Sequence, residues 1–199
     1  MAETKTTNEA ETAGATAASG EATEAKPRRR ITRRKAVEAH VRSYFDALGA
    51  RDPSAMVEHW SEDGVADIVP VGVLRGHAEI AAMFRELFAA LPDLETTVTR
   101  LVTGEREAAV EWRMTGHFTG EPMQGVDPTG RRVDFRGVDY IELDGGKIVK
   151  VTAYYDSMEF ARQIGLMPPR ESGAERAMKT AFNTGTKLKR AIAERRTGR

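Results

Sequence analysis

The spacing of apolar residues changes once along this chain. Up to about Leu91 they recur every third or fourth position, and from Leu94 they recur every second. A chain ordered in this way builds helices first and a run of antiparallel strands afterwards. The expected architecture is α+β, a curved antiparallel sheet wrapped around three N-terminal helices as a cone-shaped α+β barrel.

Val37, Val41, Tyr44, Phe45 and Leu48 form one stripe of the first helix, which Gly49 closes. Asp52 before Pro53 reads as an N-cap followed by proline at the first helical position, opening a short helix whose Met56, Val57 and Trp60 turn inward. Asp63-Gly64 then leads into one short strand around Val65–Val71. A third helix follows Gly76, with Ile80, Met83, Phe84, Leu87 and Phe88 on one side, and stops before Pro92.

The alternating part predicts strands over 96–102, 107–118, 133–143 and 148–155, with Asp144-Gly145-Gly146 as the hairpin between the last two. In the second, Ala108, Val110, Trp112, Met114 and Phe118 share the inward face and His117 points out. In the third, Val133, Phe135, Gly137, Asp139, Ile141 and Leu143 share one face. A short helix over 157–164 comes next.

Charge divides the 199 residues further. The segment 36–171 carries 14 basic and 23 acidic residues, whereas 27–35 carry six basic residues and no acid, and 172–199 carry eight basic and two acidic. An acidic body argues against nucleic-acid binding by the domain and leaves that role, or contact with a membrane surface, to the basic tails. Residues 1–35 are expected to be a disordered tail with a basic run, 36–168 the folded domain, and 169–199 a basic helical tail whose period breaks at Gly185. No apolar run reaches membrane-spanning length and the first 26 residues lack a secretory apolar core, so a cytoplasmic address is expected.

The chain has no cysteine, which excludes thiolate catalysis and disulfides. Phosphate-binding and dinucleotide glycine motifs, a nucleophile elbow and a His-Glu-x-x-His helix are all absent, and the four His are scattered. No cofactor and no metal are therefore expected.

One residue breaks the apolar pattern. Asp139 is placed by alternation among Phe135, Ile141 and Leu143, where an ionised carboxylate must be paired, hydrated or neutralised by a raised pKa. A neutral buried Asp can donate a hydrogen bond to a developing oxyanion; a partner Arg, a backbone amide or a bulge turning it to solvent are the plain alternatives. Tyr44 is either a second oxyanion donor or a core tyrosine. Asp156 shares the outward parity of Lys150, Thr152 and Tyr154, so pattern alone makes it a surface cap of the next helix. Asp67 is a weaker candidate base, more simply read as a strand-edge carboxylate. Trp60, Phe84, Phe88, Trp112, Met114 and Phe118 would line an apolar pocket, or simply fill the core.

Several short motifs, in this order and spacing, carry a resemblance. They are Gly116-His117-Phe118-Thr119-Gly120, Gly125-Val126-Asp127-Pro128-Thr129-Gly130-Arg131, Asp144-Gly145-Gly146-Lys147-Ile148, Tyr155-Asp156 and Gln163-Ile164-Gly165. Over residues 36–168 the chain resembles the SnoaL-like polyketide cyclases, within the ketosteroid isomerase and nuclear transport factor two superfamily. The resemblance implies Asp156 as the proton shuttle at the end of the last strand, with Tyr44 and Asp139 at places similar to the isomerases' oxyanion hole. The isomerases' own base falls near Val69, two residues from Asp67, and the cyclases' His falls at Phe118. The resemblance thus implies a homodimeric, cofactor-independent cyclase or isomerase that uses enolate chemistry on a small apolar carbonyl ligand. A non-catalytic ligand-binding or dimerisation module of the same fold, with tails that recruit a partner, is the alternative.

Overall fold

A computed structural model describes residues 25–69 and 71–197. Helix α1 (Ala25–Gly49) buries Val37, Val41, Tyr44, Phe45 and Leu48, the stripe its spacing predicts. It begins earlier than expected. Residues 25–35 belong to the helix rather than to a disordered tail, while the disorder expected for 1–24 lies outside the described residues. The basic run is held by the body: Arg30 and Arg33 reach Glu105 at 3.1 and 3.6 Å, and Arg34 Nε donates to the Thr103 carbonyl at 3.0 Å. Arg and Lys are also good helix formers.

Helix α2 (Pro53–Val57) starts as its sequence dictates, with Asp52 Oδ1 accepting from the Ser54 and Ala55 amides at 3.0 Å. Trp60 is buried, but it opens strand β1 (Trp60–Val69) instead of ending the helix. Strand β2 (Gly72–Arg75) pairs antiparallel with β1 and leads into helix α3 (Gly76–Ala90). The expectation of one short strand over 65–71 overlooks this pair.

Strands β3 (Glu95–Thr103), β4 (Glu107–His117), β5 (Arg132–Asp144) and β6 (Lys147–Tyr155) complete a six-stranded, curved and unclosed sheet in the order β2-β1-β6-β5-β4-β3. All neighbours are antiparallel except β1 and β6, which run parallel. Register shifts between Trp60 and Val65, Val98 and Arg100, and Glu142 and Leu143 mark bulges that bend the sheet. Helices α1 and α3 pack against it, so the core lies between helices and the inner sheet face.

Helix α4 (Ser157–Gln163) is fastened to β5 by one side chain. Gln163 Oε1 accepts from the Asp134 amide at 2.7 Å, and its Nε2 donates to the Asp134 carbonyl at 2.9 Å. Helix α5 (Gly173–Thr197) is continuous through Gly185, contrary to the expected break, since a single glycine in a helix interior costs only about 1 kcal/mol. Its first turn is anchored by Glu175, which is buried and accepts from Arg162 at 3.3 Å, the Glu171 amide at 2.7 Å and Lys179 at 3.3 Å. Farther along, Met178, Phe182, Leu188 and Ile192 are exposed. Among the described residues no helix is long and apolar enough to cross a membrane.

Candidate functional site

The open sheet and the helices enclose a cavity of about 250 Å³. That is below the roughly 300–1,000 Å³ of a site for drug-sized ligands, so it suits a compact one. Its walls are apolar: Leu48 from α1, Ala66 and Ile68 from β1, Met83, Phe84 and Leu87 from α3, Met114 from β4, Phe135 from β5 and Val151 from β6. Exposed Val71, Glu86, Gln124 and Leu166 stand at its rim. Four polar-tipped residues lie deeper in the wall, namely Tyr44, Trp60, Trp112 and Asp139.

Asp139 comes to the cavity because β5 alternates without a break from Val133 to Ile141. Asp139 is half-buried and contributes to the cavity lining. Trp112 Nε1 donates to its Oδ1 at 2.7 Å. Burial pushes the carboxyl up to about 7, and the indole N–H, which favours the charged form, works against that rise. The plain alternatives of an Arg partner or an outward bulge are not what the structure has.

Trp112 reaches Asp139 over Gly137, its register partner on β5. A Cβ at Gly137 would lie 2.4 Å from Trp112 Cζ2 and 2.5 Å from the Tyr154 carbonyl oxygen, so only glycine leaves room for the ring. The edges of Phe135 and Trp112 meet at 90°, with centroids 5.8 Å apart.

Tyr44 is 2% exposed and packed edge-on against Phe45, His59 and Trp60. Burial holds its hydroxyl far above the ordinary phenol range, and the nearby Asp139 charge adds to the effect, while the Trp60 N–H opposes it. The hydroxyl therefore stays protonated, as a donor, at any physiological pH.

Of the residues singled out in the sequence, the structure brings Tyr44, Asp139, Trp60, Phe84, Trp112 and Met114 to one cavity. It does not bring Asp156, Phe88, Phe118 or Asp67 there. Asp156 follows the outward parity of β6, lies exposed, and caps α4 by accepting from the Glu159 amide at 2.9 Å, with Arg170 3.8 Å away. Phe88 stacks behind Phe84, centroids 6.0 Å apart. Phe118 lies one residue beyond β4, keeps the inward parity of that strand and is fully buried in the core, outside the cavity lining. Asp67 sits within β1, opposite Val73 and Thr152, away from the cavity lining.

The sequence reading missed Tyr155 and Phe160 in the lining and the bond from Trp112 to Asp139. Tyr155 was within reach, since it shares the parity of Val151 and Ala153. The indole bond was not, because it depends on strand register. Among the described residues no three His, Asp or Glu side chains cluster as metal ligands would.

Among curated proteins no relative matches this chain. Solved structures do. AclR from Streptomyces galilaeus is 22% identical over 79% of this chain and 94% of its own, with a TM-score of 0.60. A SnoaL-like protein from Jannaschia sp. CCS1 is 23% identical over 68% of this chain and 95% of its own, with a TM-score of 0.62. A protein with a ketosteroid isomerase-like fold from Catenulispora acidiphila, solved in complex with trimethylamine, is 18% identical over 63% and 92%, with a TM-score of 0.54. These likenesses establish the fold. The family model for SnoaL-like polyketide cyclase matches residues 38–164, which spans α1 to the end of α4 and every cavity-lining strand, and the chain belongs to that family.

Proposed function

We propose that this protein is a cofactor-independent cyclase or isomerase acting on a small apolar carbonyl compound, with Asp139 as the group that carries the proton. The observation behind this is a carboxyl in the wall of a mostly apolar cavity, pushed up to about 7 and held by one indole N–H. A carboxyl tuned close to neutral pH exists in both protonation states there, the condition under which a general acid–base group works best.

In the ionised state Asp139 takes a proton from the carbon beside the carbonyl. The electron pair of that C–H bond forms the enolate C=C bond while the carbonyl π pair moves onto oxygen, where the Tyr44 hydroxyl donates a hydrogen bond to the growing negative charge. The resulting enolate then either recovers the proton from Asp139 at the far carbon of a conjugated system, or adds through carbon to a second carbonyl of the same molecule, whose oxygen takes the proton back from Asp139. Loss of water from the cavity strengthens both interactions. Asp156 has no part in this scheme, because it faces solvent and is committed to α4.

The test is deuterium exchange beside the carbonyl of bicyclic aromatic ketones in D2O, followed by NMR. The unaltered protein is expected to accelerate exchange and Asp139→Asn to lower the rate by about 10²–10⁴-fold, the usual worth of a positioned acid–base group, with ketone affinity retained. Ketone binding without any exchange would instead make the chain a non-catalytic binding module of the same fold.

A further inference from the structure

Trp60 presents a buried donor that is left unsatisfied: its N–H is close enough to the Tyr44 hydroxyl to influence it, yet makes no hydrogen bond to it. Its residue is 2% exposed, it lines the cavity, and Nε1 has no hydrogen-bond partner among the described residues. A buried polar group left in this way destabilises the fold, and phenylalanine would fill an apolar wall without that penalty.

The orientation of the ring follows from its surroundings. A Cβ at Gly64 would lie 2.8 Å from Trp60 Cε3, so that edge of the indole lies against the backbone of β1 at its bulge. Nε1 is on the opposite edge. It faces towards Tyr44, whose ring centroid is 6.1 Å away at 73° and whose titration it affects. The backbone beneath is fixed as well: the Trp60 carbonyl meets His77 Nε2 at 3.2 Å, and β1 pairs with Ile148 at this residue. Two donors thus converge on one part of the wall, while the other indole, Trp112, is already committed to Asp139.

Building on the reading that the cavity binds a carbonyl compound, we infer that Trp60 Nε1–H and the Tyr44 hydroxyl form a two-donor cradle for a single ligand oxygen. An sp² or enolate oxygen has two acceptor directions and satisfies both donors at once. Beyond the cradle, Asp139 with its Trp112 partner, and the half-buried Tyr155 and Ser157, the lining below the rim is apolar. The ligand class is therefore a compact apolar ketone that presents one oxygen at its buried end. A ligand lacking that oxygen leaves both donors unpaired.

The experiment compares 1-tetralone with tetralin, which differ by the carbonyl oxygen alone, by calorimetry and by the infrared carbonyl stretch of the bound ketone. The unaltered protein should prefer the ketone and shift its stretch to lower frequency. Trp60→Phe should reduce that preference roughly tenfold, the size of one hydrogen bond, and reverse part of the shift, weakening the ketone more than tetralin. Replacing Trp60 by its benzothiophene analogue, with sulfur in place of N–H, keeps the shape of the ring and should act in the same way even where the phenylalanine variant folds poorly. If neither compound binds the unaltered protein, the carbonyl-binding reading falls and takes the cradle with it. If both bind and the Trp60 variants weaken them equally, or leave preference and stretch unmoved, only the cradle is overturned.

Discussion

Trp112 and Asp139 are joined diagonally across two strands, with the indole Nε1 donating to Oδ1 at 2.7 Å. In register Trp112 stands opposite Gly137, and Asp139 opposite Val110. The ring therefore crosses β5 at a place where no side chain obstructs it. This link supplies the hydrogen bond that favours ionised Asp139, against a burial that opposes ionisation.

The raised Asp139 pKa makes stability depend on pH in a definite direction. In an unfolded chain the carboxyl ionises near 3.8, and in the native protein at about 7. Between these values the native state holds a proton that the unfolded state has released, so this group's contribution weakens stability as pH rises through that window and levels off above it. The loss at the top of the window is on the order of a few kcal/mol. Asp139→Asn cannot titrate. Urea denaturation of both proteins at several pH values should show the variant gaining on the parent from about pH 4 to about pH 7. A constant difference across the range would mean that Asp139 ionises normally.

Trp112→Phe removes the N–H that stabilises the carboxylate. Asp139 should then titrate higher still, by about one to two pH units for a hydrogen bond to a charged group. The rising limb of the exchange rate should move to higher pH by the same amount, and the rate at neutral pH should fall. A limb that stays in place while the rate drops would leave Trp112 as wall and not as a tuning group.

Gly137→Ala tests the crossing itself. The added methyl would meet the Trp112 ring and, at 2.5 Å, the Tyr154 carbonyl oxygen, which belongs to the backbone of the neighbouring strand and cannot step aside. Overpacking of this kind costs about 1–3 kcal/mol. Thermal melting should fall, and the near-ultraviolet circular dichroism of the indole should change with it. A variant with the parent's melting temperature and spectrum would show that the ring does not lie over Gly137 in solution.

These relationships differ in how far the sequence reveals them. Alternation alone puts Asp139 and Trp112 on inward faces, because each lies mid-strand in an unbroken period of two. The Asp52-Pro53 start of α2 is equally plain, since the cap is a local interaction. The bond between Trp112 and Asp139 is hidden, as nothing in either strand's own pattern sets their relative register. The parallel pairing of β1 with β6 is hidden for the same reason, with nearly ninety residues between the partners. Phe118 faces inward as its parity predicts, yet an inward side chain can fill the core as readily as line a cavity, and parity does not distinguish the two. Gly185 misleads because a single glycine weakens a helix without breaking it. At Asp156 the two sources of expectation pulled apart: family resemblance drew it towards the cavity, and the parity of β6 sent it to the surface as a cap. The side chain follows the parity.

Asp156 therefore gives the sharpest contrast between a local and a catalytic role. Its carboxylate accepts from the Glu159 amide at 2.9 Å, and Arg170 is 3.8 Å from its other oxygen, in an exposed setting where an ion pair adds little. Asparagine caps a helix about as well as aspartate, so Asp156→Asn should alter stability by less than about 0.5 kcal/mol. Alanine cannot cap, and Asp156→Ala should cost about 1 kcal/mol. Neither substitution should change the deuterium-exchange rate of a bound ketone once the protein is fully folded, whereas Asp139→Asn should remove it. Should Asp156→Asn abolish exchange while its denaturation midpoint stays unchanged, the proton carrier would be Asp156, and the start of α4 would have to swing inward during turnover.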